Sequence, residues 1–96
     1  MWYDRTVGQI REIVRWLQST DEEGWADQTH SAIETLGDIQ QIAASKRRRD
    51  KEPVEIVPGD PNAQRALPHI QAMISAMQRK DRRLALESGR AALKEF

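Results

Sequence analysis

The stretch "DPNAQRALPHIQAMISAM", Asp60 to Met77, decides how the rest of the chain is read. Ala63, Ala66, Leu67, Ile70, Met73, Ile74 and Met77 recur at steps of three and four, the period of one helix face. Asp60 is placed to accept a bond from the first free N–H groups. Pro61 suits the first helical position, where its missing N–H would have had no partner anyway. Pro68 falls inside the pattern. Either the helix kinks there, or a turn ends at Leu67 and a new helix starts with Pro68; both keep the apolar face continuous.

Two further helices are read on the N-terminal side. In "DRTVGQIREIVRWLQST", Asp4 to Thr20, Val7, Ile10, Val14 and Leu17 form an apolar stripe that Ile13 widens. Thr20 followed by Glu23 has the spacing of a capping box, which predicts a second helix opening there. Its apolar positions are Trp25, Ala32, Ile33, Leu36, Ile39, Ile42 and Ala43, and it is expected to run to about Arg49. Gly8 and Gly37, each costing about 1 kcal/mol against alanine in a helix, suggest close helix contact at those points.

Lys46, Arg47, Arg48 and Arg49 then occupy the last helical turn, where cations offset the negative end of the helix dipole. That accounts for one or two of the four. Pro53 ends any helix, because it lacks an N–H and disfavours helix at Glu52. "VEIV", Val54 to Val57, alternates and is β-branched, which predicts a short strand-like connector near residues 53–58. It is expected to lie across the helices, or to pair with its copy in a second chain.

On the C-terminal side, "QRKDRR" supplies a turn with Asp81 as cap. The last helix, "RRLALESGRAALKEF", presents Leu84, Leu86, Ala91, Ala92, Leu93 and Phe96, with Gly89 a weak spot or a close-packing point. The expected fold is therefore all-α: a small four-helix, two-hairpin bundle in a single domain of residues 1–96. The hairpins cover about 4–50 and 61–96, joined by a linker over 51–60.

Bulk properties narrow the function. Ninety-six residues suffice for one modest core. With no cysteine, disulfides and thiolate chemistry are excluded. No apolar run reaches the roughly 18–20 residues of a membrane helix, and "MWYDRTVG" has no apolar signal region, so a cytoplasmic protein without membrane contact is expected. Net charge is zero but uneven. Residues 1–45 hold three Arg against eight acids, and residues 46–96 hold twelve Lys/Arg against seven, giving −5 and +5. Such a split suits complementary packing of the halves, head-to-tail association or one charged binding face.

No phosphate loop, nucleophile elbow or H-E-x-x-H motif is present, so neither catalysis nor a bound cofactor is expected. Asp27, His30 and Glu34 share a helix face, but they lack the partner motif that would complete a metal site. The second histidine, His69, lies in another helix. Two sets of residues remain. Trp2, Tyr3, Trp16 and Trp25 crowd the first 25 positions and either close one end of the bundle or anchor a protein partner. Lys46, Arg47, Arg48, Arg49 and Lys51, with Arg79, Lys80, Arg82 and Arg83, would form one patch for nucleic acid or an acidic partner if the hairpins bring them together. The leading expectation is a non-catalytic protein–protein interaction module: an adaptor, chaperone-like subunit or phage-type inhibitor of a host complex, with self-association as an extension. Nucleic-acid binding is the alternative.

Overall fold

The computed structural model describes residues 4–44, 46–48 and 55–96, and it is an all-α four-helix bundle. Helices α1 (Asp4–Gln18), α2 (Trp25–Ala43), α3 (Pro61–Gln78) and α4 (Arg82–Leu93) carry the core, and two three-residue strands, β1 (Lys46–Arg48) and β2 (Glu55–Val57), stand between α2 and α3. Each helix packs antiparallel against two others. Among the described residues α1 meets α2 and α4, and α3 meets α2 and α4, while the diagonal pairs make no backbone contact. The result is a closed square of helices. At one end sit Trp16, Trp25 and the α3–α4 turn; at the other sits the β-ribbon.

The stripes expected on α1 and α3 are the ones buried. Val7, Ile10, Ile13, Val14 and Leu17 face Ala63, Ala66, Ile70, Met73, Ile74 and Met77 in the core, with Leu67 partly buried beside them. Asp60 caps α3, its Oδ2 accepting from Ala63 N at 2.9 Å. Pro68 lies within a single helix, on its exposed side. There its ring costs one hydrogen bond of the helix without disturbing the packed face.

Helix α2 departs from expectation at both ends. It opens at Trp25, not at Thr20. The Asp21 carboxylate accepts from Glu23 N at 2.9 Å, a local turn that competes with helix formation. Gly24, at φ 92°, then sets the chain into the helix in a left-handed conformation that side chains disfavour. At the far end α2 stops at Ala43, six residues short of Arg49. Its last carbonyls are taken by the start of α3: Asp60 N donates to Ile42 O at 2.9 Å, and Gln64 Nε2 to Ala43 O at 3.1 Å. These bonds satisfy groups that an ending helix otherwise leaves open. Lys46, Arg47 and Arg48 therefore belong to a strand, and the helix-dipole explanation for them falls away. Arg49, Lys51 and residues 53–54 of the expected connector lie outside the described residues.

The strand-like piece pairs within its own chain. β2 runs antiparallel to β1 in the register Lys46–Val57, Arg47–Ile56 and Arg48–Glu55. Neither strand makes a backbone contact with a helix among the described residues. The described residues span 54 × 22 × 21 Å. The square cross-section fits four helices, and the length exceeds the ~28 Å of the 19-residue α2 by enough to show the ribbon projecting from the bundle end.

Helix α4 is rotated from its expected face. It buries Ala85, Ser88, Gly89 and Ala92, leaving Leu84 exposed and Leu86, Leu93 and Phe96 at the flanks. This small-residue face lets α4 sit close. A Cβ built on Gly89 would lie 2.8 Å from Val14 Cγ2 and 3.1 Å from Met73 Sδ. The two mid-helix glycines behave differently. Nothing lies within 4 Å of a Cβ at Gly8 or Gly37, so neither marks a helix crossing. Gly37→Ala is accordingly expected to raise stability by about 0.5–1 kcal/mol, read as a higher urea midpoint with an unchanged slope.

Candidate functional site

The tryptophan end is built around one arginine. Arg82, in the first turn of α4, reaches across to the C-terminal end of α1, where its Nη1 donates to Trp16 O at 3.0 Å and to Leu17 O at 3.2 Å. Its Nη2 donates to Asp21 O in the α1–α2 loop. The guanidinium lies 4.6 Å from the Trp16 ring centroid and 4.9 Å from that of Trp25. The two indoles meet edge-to-face at 4.8 Å and 88°. A planar cation suits this place, since it donates in its plane and stacks on aromatic faces. A single side chain thus ties α4 to the α1–α2 corner, more than 50 residues away in sequence.

Trp25 is buried and its Nε1–H has no acceptor among the described residues; Trp16 is half-buried, its Nε1–H 3.4 Å from Asp21 Oδ2. Trp16 and Trp25 thus come together at one end, engaged with Arg82. Helix α1 begins at the opposite end, and Trp2 and Tyr3 before it lie outside the described residues.

Beside Trp25 a groove of about 390 Å³ opens between the first half of α2 and the end of α3. Trp25, Ala26, Thr29 and Ile33 line one wall, Met77 and Lys80 the other. Ile33, expected in the core, is 46% exposed here. The α2 face that buries Ala32, Thr35, Ile39 and Ile42 turns away from it. A smaller polar cleft of about 220 Å³ lies between α1 and α2, lined by Gln9, Glu12 and Thr35 among others. His30 Nε2 pairs with Glu34 Oε1 at 3.1 Å on an exposed face. No group of three or more His, Asp or Glu among the described residues is placed to hold a metal ion.

The strand that carries Lys46, Arg47 and Arg48 lies at the opposite end of the bundle from the second basic cluster. Helix α3 starts beside the root of the ribbon and ends at the turn holding Arg79, Lys80, Arg82 and Arg83, so its 18 residues put about 27 Å between them. Arg82 is folded onto the tryptophans. Arg79, Lys80 and Arg83 are exposed, with Arg83 Nε 3.6 Å from Glu87 Oε1. Sequence reasoning missed both Arg82's role and the groove. Arg82 reads locally as the third cation of a run, and Ile33 fits the apolar period equally well as core. No helix among the described residues is long and apolar enough to cross a membrane. Comparison with protein-family models, with curated proteins and with solved structures yields no match to this chain.

Proposed function

We propose that this chain is a non-catalytic helical module that binds a protein partner, in the manner of an adaptor, chaperone-like subunit or small inhibitor. The observation that carries the reading is the α2–α3 groove, where Ile33 stays exposed beside Trp25 and across from Met77. Elsewhere on the four helices large apolar side chains are spent on the core or its flanks, Leu84 excepted. Covering the rest of Ile33 would contribute about 1 kcal/mol through apolar burial. Placed beside a rigid indole, such a group has the make-up of an interface anchor. One wall is held at Trp25 by Arg82, and both walls are helices that pack directly on each other, so little ordering cost falls on binding.

The test is site-directed cross-linking in cells that make the protein, with photoreactive benzoylphenylalanine at position 33 and, as a control, at exposed Gln71 on α3. One discrete adduct from position 33, absent from position 71, is expected. A product at twice the 11.0 kDa chain mass would identify the partner as a second copy. Identical adducts from both positions, or none, contradict the reading. Ile33→Glu is expected to leave stability within about 0.5 kcal/mol of the parent, as surface changes do, while lowering partner affinity at least tenfold.

A further inference from the structure

We infer that the partner of the α2–α3 groove is a second copy of this chain, docked through the outer face of its α4; the inference rests on the groove being a binding site. Ile33 on α2 and Leu84 on α4 are the two large apolar side chains left exposed on the helices. Their helices carry opposite charge. Asp27, Glu34 and Asp38 are the acids of α2, which has no Lys or Arg. Arg83, Arg90 and Lys94, the last at the C-cap with helical backbone angles, are exposed along α4, where the one acid is Glu87. Among the described residues Asp27, Asp38, Arg90 and Lys94 form no ion pair within the chain, and Glu34 and Arg83 meet only His30 and Glu87, one turn away on exposed faces. The acidic and the basic triplet are both spaced seven and then four residues apart.

The fold brings the two triplets into register. Helices α2 and α4 both run antiparallel to α3, so they run parallel to each other at diagonal corners of the square. Arg82, the first residue of α4, lies over the ring of Trp25, the first residue of α2, so the two helices also start at one level. A second copy displaced sideways along that diagonal, without rotation, therefore lays its α4 along the first copy's α2. Arg83 then comes within one residue, ~1.5 Å of rise, of the level of Asp27, as do Arg90 and Lys94 of Glu34 and Asp38. The edges agree too. Ile33 borders α3 across the groove, and Leu84 shares the α4 edge of Glu95, whose carboxylate accepts from Arg65 of α3 at 2.8 Å. Glu34 lines the cleft toward α1, and Arg83 and Arg90 stand toward the side of α4 from which Arg82 reaches α1. Parallel helices laid face to face keep the two α3-side edges together, so Leu84 enters the groove while cations meet acids. An antiparallel contact would set the apolar edge on the charged one. Glu87 comes level with His30, not with an acid. A contact of one helix from each copy is small and exposed ion pairs add little, so the association is weak. It also does not close, since every added copy leaves one α2 face and one α4 face open.

Sedimentation equilibrium of the parent up to about 1 mM protein in about 25 mM salt tests this. Weight-average mass is expected to climb past twice the 11.0 kDa chain mass without levelling. Raising salt to about 500 mM shortens the screening length from ~20 Å to ~4 Å and is expected to weaken association about fivefold or more. Ile33→Glu spoils the α2 face and Leu84→Glu the α4 face, so each variant alone is expected to stay at the chain mass with its helical circular dichroism unchanged. Their equimolar mixture is expected to pair and stop at twice that mass, because the intact α4 of the first docks on the intact α2 of the second. A parent that stays monomeric overturns the inference, as does a mass that levels at two chains, a Leu84→Glu variant that assembles like the parent, or a mixture that does not pair. The groove reading fails separately. A monomeric parent whose position-33 adduct has another mass sinks only the second copy as partner, whereas an Ile33→Glu variant that assembles like the parent removes the groove as well.

Discussion

Gly59→Ala is expected to destabilise the protein by about 3 kcal/mol, at the upper end of what overpacking costs. The reason is a single close approach. A Cβ at position 59 would lie 1.9 Å from the carbonyl oxygen of Ala43, 2.4 Å from its carbon and 3.0 Å from the carbonyl carbon of Ala44. All three are backbone atoms at the end of α2, so no side chain can swing away. Relief requires the root of α3 to lift off α2, which breaks the bond from Asp60 N to Ile42 O and that from Gln64 Nε2 to Ala43 O. A domain of this length holds roughly 5–14 kcal/mol in all, so the loss is a large share. At 4–8 °C per kcal/mol, Tm falls by about 12–24 °C. Urea unfolding beside Gly37→Ala checks it, since the same substitution carries opposite sign at the two positions. A Gly59→Ala variant within 0.5 kcal/mol of the parent would show that the α2–α3 junction is not held as described.

The second large effect belongs to Arg82. Arg82→Ala removes the donor to three carbonyls, those of Trp16, Leu17 and Asp21, and bares the faces of two indoles. The site is partly exposed, so water recovers some of this, and a loss of about 2–3 kcal/mol is expected. Arg82→Lys keeps the charge but not the planar fork, and is expected to recover less than half. Because the acceptors are neutral carbonyls, the loss persists in 0.5 M salt, where a surface ion pair would be screened. Tryptophan emission of the folded Arg82→Ala variant shifts to the red as Trp16 meets water. Unchanged emission with parental stability would mean that Arg82 is a bystander at that end.

The α1 and α3 faces were legible in the sequence because their periodicity is local and the core accepts whatever stripe is offered. Asp60–Pro61 was legible for the same reason: cap and first turn are neighbours in the chain. What could not be read was decided at a distance. The spacing of Thr20 and Glu23 promised a capping box, but Asp21 turns the loop locally and Arg82, 61 residues on, collects its carbonyl. The end of α2 is fixed by Asp60 and Gln64, which no nearby residue announces. The α3–α4 turn hides for a different reason. Lys80 takes the left-handed conformation, φ 58°, that glycine usually supplies, and Asp81 N closes the helix end on Ala76 O at 2.8 Å. On α4 the buried face is made of Ala, Ser and Gly, so counting large apolar residues picked the flank. Gly59, set just before a capped helix, was the one local mark of the tight α2–α3 root.

The candidate sites follow from the same contrast. The tryptophans were visible as a cluster in the sequence, yet their engagement with Arg82 depends on three elements meeting. The basic run was visible as charge, yet its release from α2 depends on where α3 docks.

Separation of β1 from the α3–α4 turn by the length of the bundle follows from how α3 docks on α2, and electron–electron double resonance measures it. The chain has no native cysteine, so spin labels go cleanly onto Arg48→Cys in the ribbon and Lys80→Cys in the α3–α4 turn. Eighteen helical residues of α3 plus the projecting strand place the labels about 35 Å or more apart. A principal distance below about 20 Å would mean that the basic clusters converge on one patch, and would contradict the account.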